Sequence, residues 1–362
     1  MINKKCFTLE WIQEQAQNNN CKSLILLEKA IIALQLLAYL AESSIPFQFK
    51  GGTSLLLRFN PLKRLSIDID IVTQATEADL EAVIEKICKL TPFEGFYIDD
   101  RPSHDSTPKK HYKFLYTSQV YPQNRKDNLL LDVIFDTKGL PKYDSLIINT
   151  PFIIPDREIQ VSVPTLNSLL GEKLTAFAPS TIGIKYNEDR KTEIIKQLFD
   201  IGVLFDVITD LSEVKEAYNF TFSRQNVYRD TNYTLEQTLM DSIQAGFELS
   251  RFDPGKNINT ENGQLLKDGV ASLSNFLLKH KFTLDEAKIA ASKMACICAW
   301  ILSSPHIVNI AQIRYQSKHI NELRTLFLAD TWKDLNSIKK INPEAFYYWF
   351  QAQQMITKLS NA

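Results

Sequence analysis

Cysteine is scarce in this chain and badly placed for either of its structural jobs. The five present are Cys6, Cys21, Cys88, Cys296 and Cys298. An odd number at scattered spacing argues against a disulfide framework. Cys296 and Cys298 share an apolar, alanine-rich run without the second pair that a zinc site needs, so all five read as reduced thiols. An excess of one charge is also missing. The chain carries 41 Lys and Arg against 42 Asp and Glu, a formal net charge of −1. No global field therefore favours wholesale coating of nucleic acid, and such a partner must be held by a local patch. The opening MINKKCFTLEWIQ has no apolar stretch behind its lysines and does not read as a signal peptide. The most apolar segment, residues 23–42, is interrupted by Glu28 and Lys29 and barely reaches the ~20 residues of a membrane span. It reads as a buried core helix. Together these absences imply a cytoplasmic protein with soluble substrates and no membrane partner.

At 362 residues, 44% of them hydrophobic, the chain is long enough for two domains with sizeable cores. Thr8 caps a first helix, the apolar helix 23–42 follows, and Pro46 ends it. FQFK (47–50) reads as a short strand. LSIDIDIV (65–72) alternates and is β-branched, which predicts another. Residues 76–90 make an amphipathic helix with Thr76 as N-cap and Asp79 three residues on. Further strands are predicted at 94–99, 110–117, 128–135 and 157–163. After Pro164 the texture becomes helical, with periodic segments at 165–178, 188–209, 233–250, 264–280, 283–303 and 342–358. The expected division is an α+β domain over 1–164 and a helical domain over 165–362.

The most informative stretch is residues 49–72, FKGGTSLLLRFNPLKRLSIDIDIV. Residues two apart in a strand share a face, so Asp68 and Asp70 project side by side while Ile67, Ile69 and Ile71 turn to a core. Two adjacent carboxylates disfavour each other's ionisation unless a cation neutralises them, and oxygen-only ligation selects magnesium or manganese over zinc. Upstream, Gly51-Gly52 permits a tight turn and close backbone approach. Thr53 and Ser54 then supply hydroxyls at a predicted helix start, where N–H groups and the dipole favour an anion. A phosphate cradle followed by a metal-binding pair is what a nucleoside triphosphate requires. Neither a GxxxxGK[ST] loop nor a GxGxxG fingerprint is present, and the kinase signatures are absent.

The ordered motif Lys50-Gly51-Gly52-Thr53-Ser54-Leu55, then Arg64-Leu65-Ser66-Ile67-Asp68-Ile69-Asp70, resembles the AbiEii/AbiGii-type nucleotidyltransferase toxins of the DNA polymerase β-like superfamily. The resemblance implies a mixed, mostly antiparallel sheet with flanking helices, followed by an all-helical C-terminal domain. It implies that Lys50 and Gly51 to Ser54 hold the triphosphate, that Ser66 sits against the phosphates, and that Asp68 and Asp70 bind Mg2+ or Mn2+. A third metal-binding carboxylate is expected from strand 128–135, with Asp132 the candidate and Asp136 the alternate. In the E-K-L-x-A helix, Glu172 to Ala176, the resemblance has Lys173 meet the phosphates or the departing pyrophosphate. Lys173→Ala should then cut rate strongly with a smaller loss of stability. The later pattern K/R-D-x-x-D-L matches Lys196-Gln197-Leu198-Phe199-Asp200-Ile201, with Gln197 in place of the first acid. That leaves Asp200 as the main candidate, to orient Lys173, accept the acceptor's proton or cap a buried network, and Asp206 as a weaker one.

The implied reaction moves a nucleoside monophosphate from a triphosphate to a hydroxyl, expected on RNA such as a tRNA 3′ end. The implied setting is the toxin of a toxin–antitoxin or abortive-infection pair that meets an antitoxin. A small-molecule nucleotidyltransferase and a non-catalytic nucleotide or RNA sensor are the rival readings. Basic clusters at Lys109–Lys113, Arg224 with Tyr228-Arg229, and residues 314–324 are candidate nucleic-acid contacts. The aromatic run 344–355 reads either as a buried helix or as a surface for another chain.

Overall fold

Alternation between apolar and polar residues builds the sheet at the centre of the molecule's first half. The computed structural model describes every residue except 100–107, 137–138, 254, 256–258, 279–280, 305–308 and 361–362. It divides into a unit formed by Met1–Thr165 with Asn275–Lys281 and a unit formed by Leu166–Ser274 with Phe282–Ala362.

The first unit opens with α1 (Leu9–Asn18) and α2 (Leu24–Ala41), each capped by a hydroxyl: Thr8 accepts from the Trp11 N–H and Ser23 from the Leu26 N–H. Strands β1 (Phe47–Lys50) and β2 (Ile69–Thr73), helix α3 (Glu77–Ile87), and strands β3 (Phe93–Ile98), β4 (Lys109–Thr117) and β5 (Lys126–Phe135) follow, then β6 (Tyr143–Ile147) and β7 (Gln160–Pro164). Five strands form one sheet in the order β1-β2-β5-β4-β3, and β6 pairs with β7 separately. Only β2 and β5 run parallel; the other pairings in the sheet are antiparallel. One face is apolar: Phe49, Ile69, Ile71, Leu131, Val133, Tyr112 and Phe114 are fully buried, in a core shared with Leu27, Ile31, Leu34 and other residues of α2. By length and composition α2 is able to cross a membrane, yet 67% of it is buried within the protein. That is the core helix expected from Glu28 and Lys29.

Two expectations change in this unit. The strand predicted over 65–72 begins only at Ile69. The Leu65 N–H instead donates to the Phe276 carbonyl (2.7 Å), and Leu278 N–H to the Lys63 carbonyl (3.2 Å). The partner is a segment from far along the chain, and its return divides the helix predicted over 264–280. Strand β6 was not anticipated because its residues are mostly exposed, which leaves little hydrophobic signal to read.

The second unit is helical: α4 (Leu166–Ala176), α5 (Lys191–Phe205), α6 (Leu211–Tyr228), α7 (Leu235–Ser250), α8 (Glu261–Ser272), α9 (Leu284–Ser303), the short α10 (Ile320–Leu323) and α11 (Pro343–Ser360). Helix α6 was missed in the sequence. Its buried positions include Glu213, Tyr218 and Thr221, which blur the apolar stripe. The run 344–355 lies in α11 and is interior: Phe346 and Trp349 are fully buried, and the Trp349 indole N–H donates to Ser250 Oγ at 3.1 Å. Its aromatic residues fill the core of this unit, so the reading of the run as a docking surface is withdrawn.

Candidate active site

Register places a row of polar residues on the open face of the five-stranded sheet. Lys50 is paired with Asp70 across β1 and β2, Asp70 with Asp132 across β2 and β5, and Asp132 with His111 across β5 and β4. Directly paired residues project to the same face, opposite the buried Ile69, Ile71, Leu131 and Val133. Asp132, rather than Asp136, therefore stands beside Asp70. Asp136 lies past the strand end, where its N–H donates to the Thr73 carbonyl. Asp68 precedes β2 by one residue and is half-buried, as Asp70 is.

The turn after β1 closes on this row. Gly51 adopts φ +73°, a conformation that suits glycine. A Cβ at Gly51 would stand 2.0 Å from Asp70 Oδ2, so the carboxylate lies directly against the turn. A Cβ at Gly52 would stand 2.6 Å from Arg64 Nη2 and 2.9 Å from Ser66 Oγ. The two glycines thus make room for one acid, one guanidinium and one hydroxyl. Arg64 is buried and also donates from Nη1 to the Leu65 carbonyl at 3.0 Å. No role had been assigned to it, although it opens the motif that contains Ser66, Asp68 and Asp70.

Thr53 and Ser54 behave differently from expectation. Both are fully buried. Thr53 Oγ1 donates to the Asp68 carbonyl at 2.5 Å, and Ser54 Oγ to the Gly51 carbonyl at 2.7 Å. Their protons are spent on backbone, so these hydroxyls shape the turn and hold it to the Asp68 segment. The predicted helix is a 3-10 helix of five residues, Thr53–Leu57, too short for a developed helix dipole.

The donors offered to a cation are carboxylate oxygens, which suit magnesium rather than zinc. Among the described residues no group of three His, Cys, Asp or Glu forms a ready-made metal cage. Magnesium does not require one, because it is usually bound through one or two carboxylates together with substrate phosphates. Asp70, whose carboxylate lies against the glycine turn, and the half-buried Asp68 two residues upstream are such donors. Asp132 is engaged elsewhere: its Oδ1 lies 2.6 Å from His111 Nδ1.

In the second unit the sequence pointed to Lys173 on α4 and Asp200 on α5, and the structure brings them together. Lys173 Nζ lies 2.7 Å from Asp200 Oδ2, with side-chain exposures of 4% and 2%. Gln197, which stands where the motif has an acid, places Oε1 3.3 Å from the same ammonium. Asp206 is committed to Lys293, whose Nζ donates to its two oxygens at 2.8 and 3.0 Å.

The basic clusters are largely occupied. Lys110 pairs with Glu77 at 2.6 Å, and Lys113 with Asp99 at 3.0 Å. Arg224 sits over the rings of Phe220 and Tyr228, and Arg314 donates to the Phe205 and Ile208 carbonyls. These contacts tie the cations to the protein itself.

Comparison with known proteins adds an independent finding. A family model described as "Nucleotidyl transferase AbiEii toxin, Type IV TA system" matches residues 35–286. No curated protein matches by sequence. Among solved structures, JHP933 from Helicobacter pylori is similar at 15% identity and a TM-score of 0.41, covering 86% of this chain and 98% of that one. An antigenic nucleotidyltransferase-like protein from Paracoccidioides brasiliensis is similar at 15% identity and a TM-score of 0.34, covering 55% of this chain and 90% of that one. A likeness this distant says nothing about substrate or mechanism.

Proposed function

This chain belongs to the AbiEii nucleotidyltransferase toxin family, and on that premise we propose that it transfers a nucleoside monophosphate from a nucleoside triphosphate to a hydroxyl on RNA, such as a tRNA 3′ end. The proposed setting is the toxin half of a toxin–antitoxin pair with an antitoxin as its counterpart. One observation carries the reading: the Gly51-Gly52 turn closes onto the Asp70 carboxylate, Arg64 and Ser66 within about a methyl group's width.

In this reading the backbone of the turn and Lys50 receive the triphosphate. Arg64 and Ser66 offer donors beside that turn. A divalent Mg2+ or Mn2+ held by Asp68 and Asp70, when bound, neutralises phosphate charge and polarises the phosphoryl group. Thr53 and Ser54 keep the turn in place through the Asp68 and Gly51 carbonyls. The acceptor hydroxyl attacks the α-phosphorus in line and pyrophosphate leaves. Most of the acceleration comes from positioning and fixed charge. Lys173 and Asp200 enter the proposal as one pair, their charged groups 2.7 Å apart and buried.

The test is incubation of the protein with each α-labelled nucleoside triphosphate, Mg2+ and either total RNA or a panel of small hydroxylated acceptors. Label on RNA in the wild type, lost in Asp70→Asn, supports the reading. Label on small molecules alone transfers the assignment to a small-molecule enzyme. Nucleotide binding with no transfer to any acceptor replaces it with a sensor.

A further inference from the structure

Residues 58–68 connect the 3-10 helix to β2 as an irregular run that carries Arg64, Ser66 and Asp68. We propose that Phe276–Leu278, a segment from far along the chain, is a positioning element of the nucleotide site. It holds Arg64, and the run leading to Asp68 and Asp70, in the shape that receives a triphosphate. This deepens the reading above and rests on its nucleotide-binding part.

The clamp is centred on Arg64, which forms an antiparallel bridge with Leu277. Both of its flanks are fastened. The Lys63 carbonyl accepts from the Leu278 N–H at 3.2 Å, and the Leu65 N–H donates to the Phe276 carbonyl at 2.7 Å. The segment has a second anchor, because Leu278 also bridges Cys21 in the connection between α1 and α2. Leu65 and Leu278 are buried in the core of the first unit. With the backbone of Arg64 held, its side chain is buried as well, and Nη2 lies 2.6 Å from where a Cβ at Gly52 would stand. The Nη1 bond to the Leu65 carbonyl ties the guanidinium to the same clamp.

Holding an irregular run in one shape costs conformational entropy. Thr53 Oγ1 secures the far end of this run through the Asp68 carbonyl, and the clamp at Lys63–Leu65 secures its middle. A charged donor serves a phosphate best when it is fixed beforehand, because substrate binding then does not have to supply the ordering. The coupling is reciprocal. A contact that favours the binding-competent shape is itself strengthened by the ligand, so nucleotide at the glycine turn should tighten the pairing of Lys63–Leu65 with Phe276–Leu278.

The test is amide hydrogen exchange on the full chain with Mg2+, in the absence and presence of ATP, GTP, CTP or UTP. At about 100 times its Kd a nucleotide can slow exchange through openings that release it by up to about 100-fold. The proposal expects the Leu65 and Leu278 amides to slow by about tenfold or more, together with the Gly51–Ser54 turn. Slowing at the turn with less than about twofold change at Leu65 and Leu278 overturns the positioning role and leaves nucleotide binding standing. Wild-type protein that binds none of these nucleotides overturns the reading above, and the positioning role with it. Leu278→Pro adds a second measurement, because proline lacks the N–H that the Lys63 carbonyl accepts. Its nucleotide Kd should rise at least about fivefold. Leu37→Ala, which opens a cavity at a fully buried position of α2, is the control for lost stability and should keep its Kd within about twofold of wild type. A folded Leu278→Pro chain with wild-type affinity overturns the proposal, as does an equal loss of affinity in Leu37→Ala. Should Leu278→Pro fail to fold, exchange in the wild type decides alone.

Discussion

Removing Asp200 is expected to destabilise the second unit by about 3–5 kcal/mol. Lys173 and Asp200 are 2.7 Å apart with side chains 4% and 2% exposed, so an ammonium that loses its partner gains no water in exchange. Deleting one member of such a pair is costly, whereas replacing both with apolar groups of similar volume is often neutral or stabilising. Gln197 Oε1 at 3.3 Å is a neutral acceptor and offsets only part of the loss. A unit of this size melts roughly 2–4 °C lower per kcal/mol lost, so Asp200→Ala should lower its transition by about 6–20 °C. Lys173→Ala should do likewise, because the pair is buried, whereas the sequence alone suggested a loss of stability smaller than the loss of rate. Lys173→Met combined with Asp200→Leu should recover most of the melting temperature. The assay is thermal and urea unfolding followed by circular dichroism, run beside transfer of labelled nucleotide. A double variant that melts like wild type but transfers nothing places the pair in the chemistry rather than only in the fold. Single variants that melt within about 2 °C of wild type would refute the buried-charge reasoning.

Three further outcomes are expected. Gly51→Ala should abolish transfer and cost about 1–2 kcal/mol, because a methyl group there meets Asp70 Oδ2 and φ is +73°; a fully active variant would show that the turn does not serve substrate. Asp68→Asn and Asp70→Asn should each lose nucleotide-dependent Mn2+ binding in electron paramagnetic resonance while the melting temperature holds within a few degrees, and unchanged Mn2+ binding in both would remove the metal assignment. Burial raises the pKa of Glu28 above the usual carboxylate range, opposed by hydrogen bonds from Ser118 Oγ and the Gln119 N–H. The folded state then binds this proton more tightly than the unfolded one, so its contribution to stability falls as pH rises from the unfolded pKa through the raised folded value. Urea titrations of wild type and Glu28→Gln across that window check this, and parallel curves would contradict it.

Much of the fold was legible because local periodicity reported it. Strands β1, β4 and β5 and helices α2, α7, α9 and α11 lie close to where alternation or helical spacing put them. The misses have physical causes. Strand β6 is exposed, α6 buries polar residues along its stripe, and residues 276–278 look helical by local pattern but pair with the segment before β2. Composition carries no trace of a partner more than two hundred positions away.

The sequence by itself determined the chemistry available to this protein. Two glycines, an acid pair in alternation, an E-K-L-x-A helix and a later aspartate are chain-local features, and their order identified the family. Tertiary structure decided which of those groups act together. Register across β2, β5 and β4 chose Asp132 over Asp136 and delivered it to His111. Packing of α4 on α5 turned Lys173 and Asp200 into one buried pair. Close approach at Gly51 aimed Asp70 at the turn while burial spent the Thr53 and Ser54 hydroxyls on backbone. Partnerships of this kind depend on strand pairing and helix packing between distant segments, so they exist only once the chain has closed on itself.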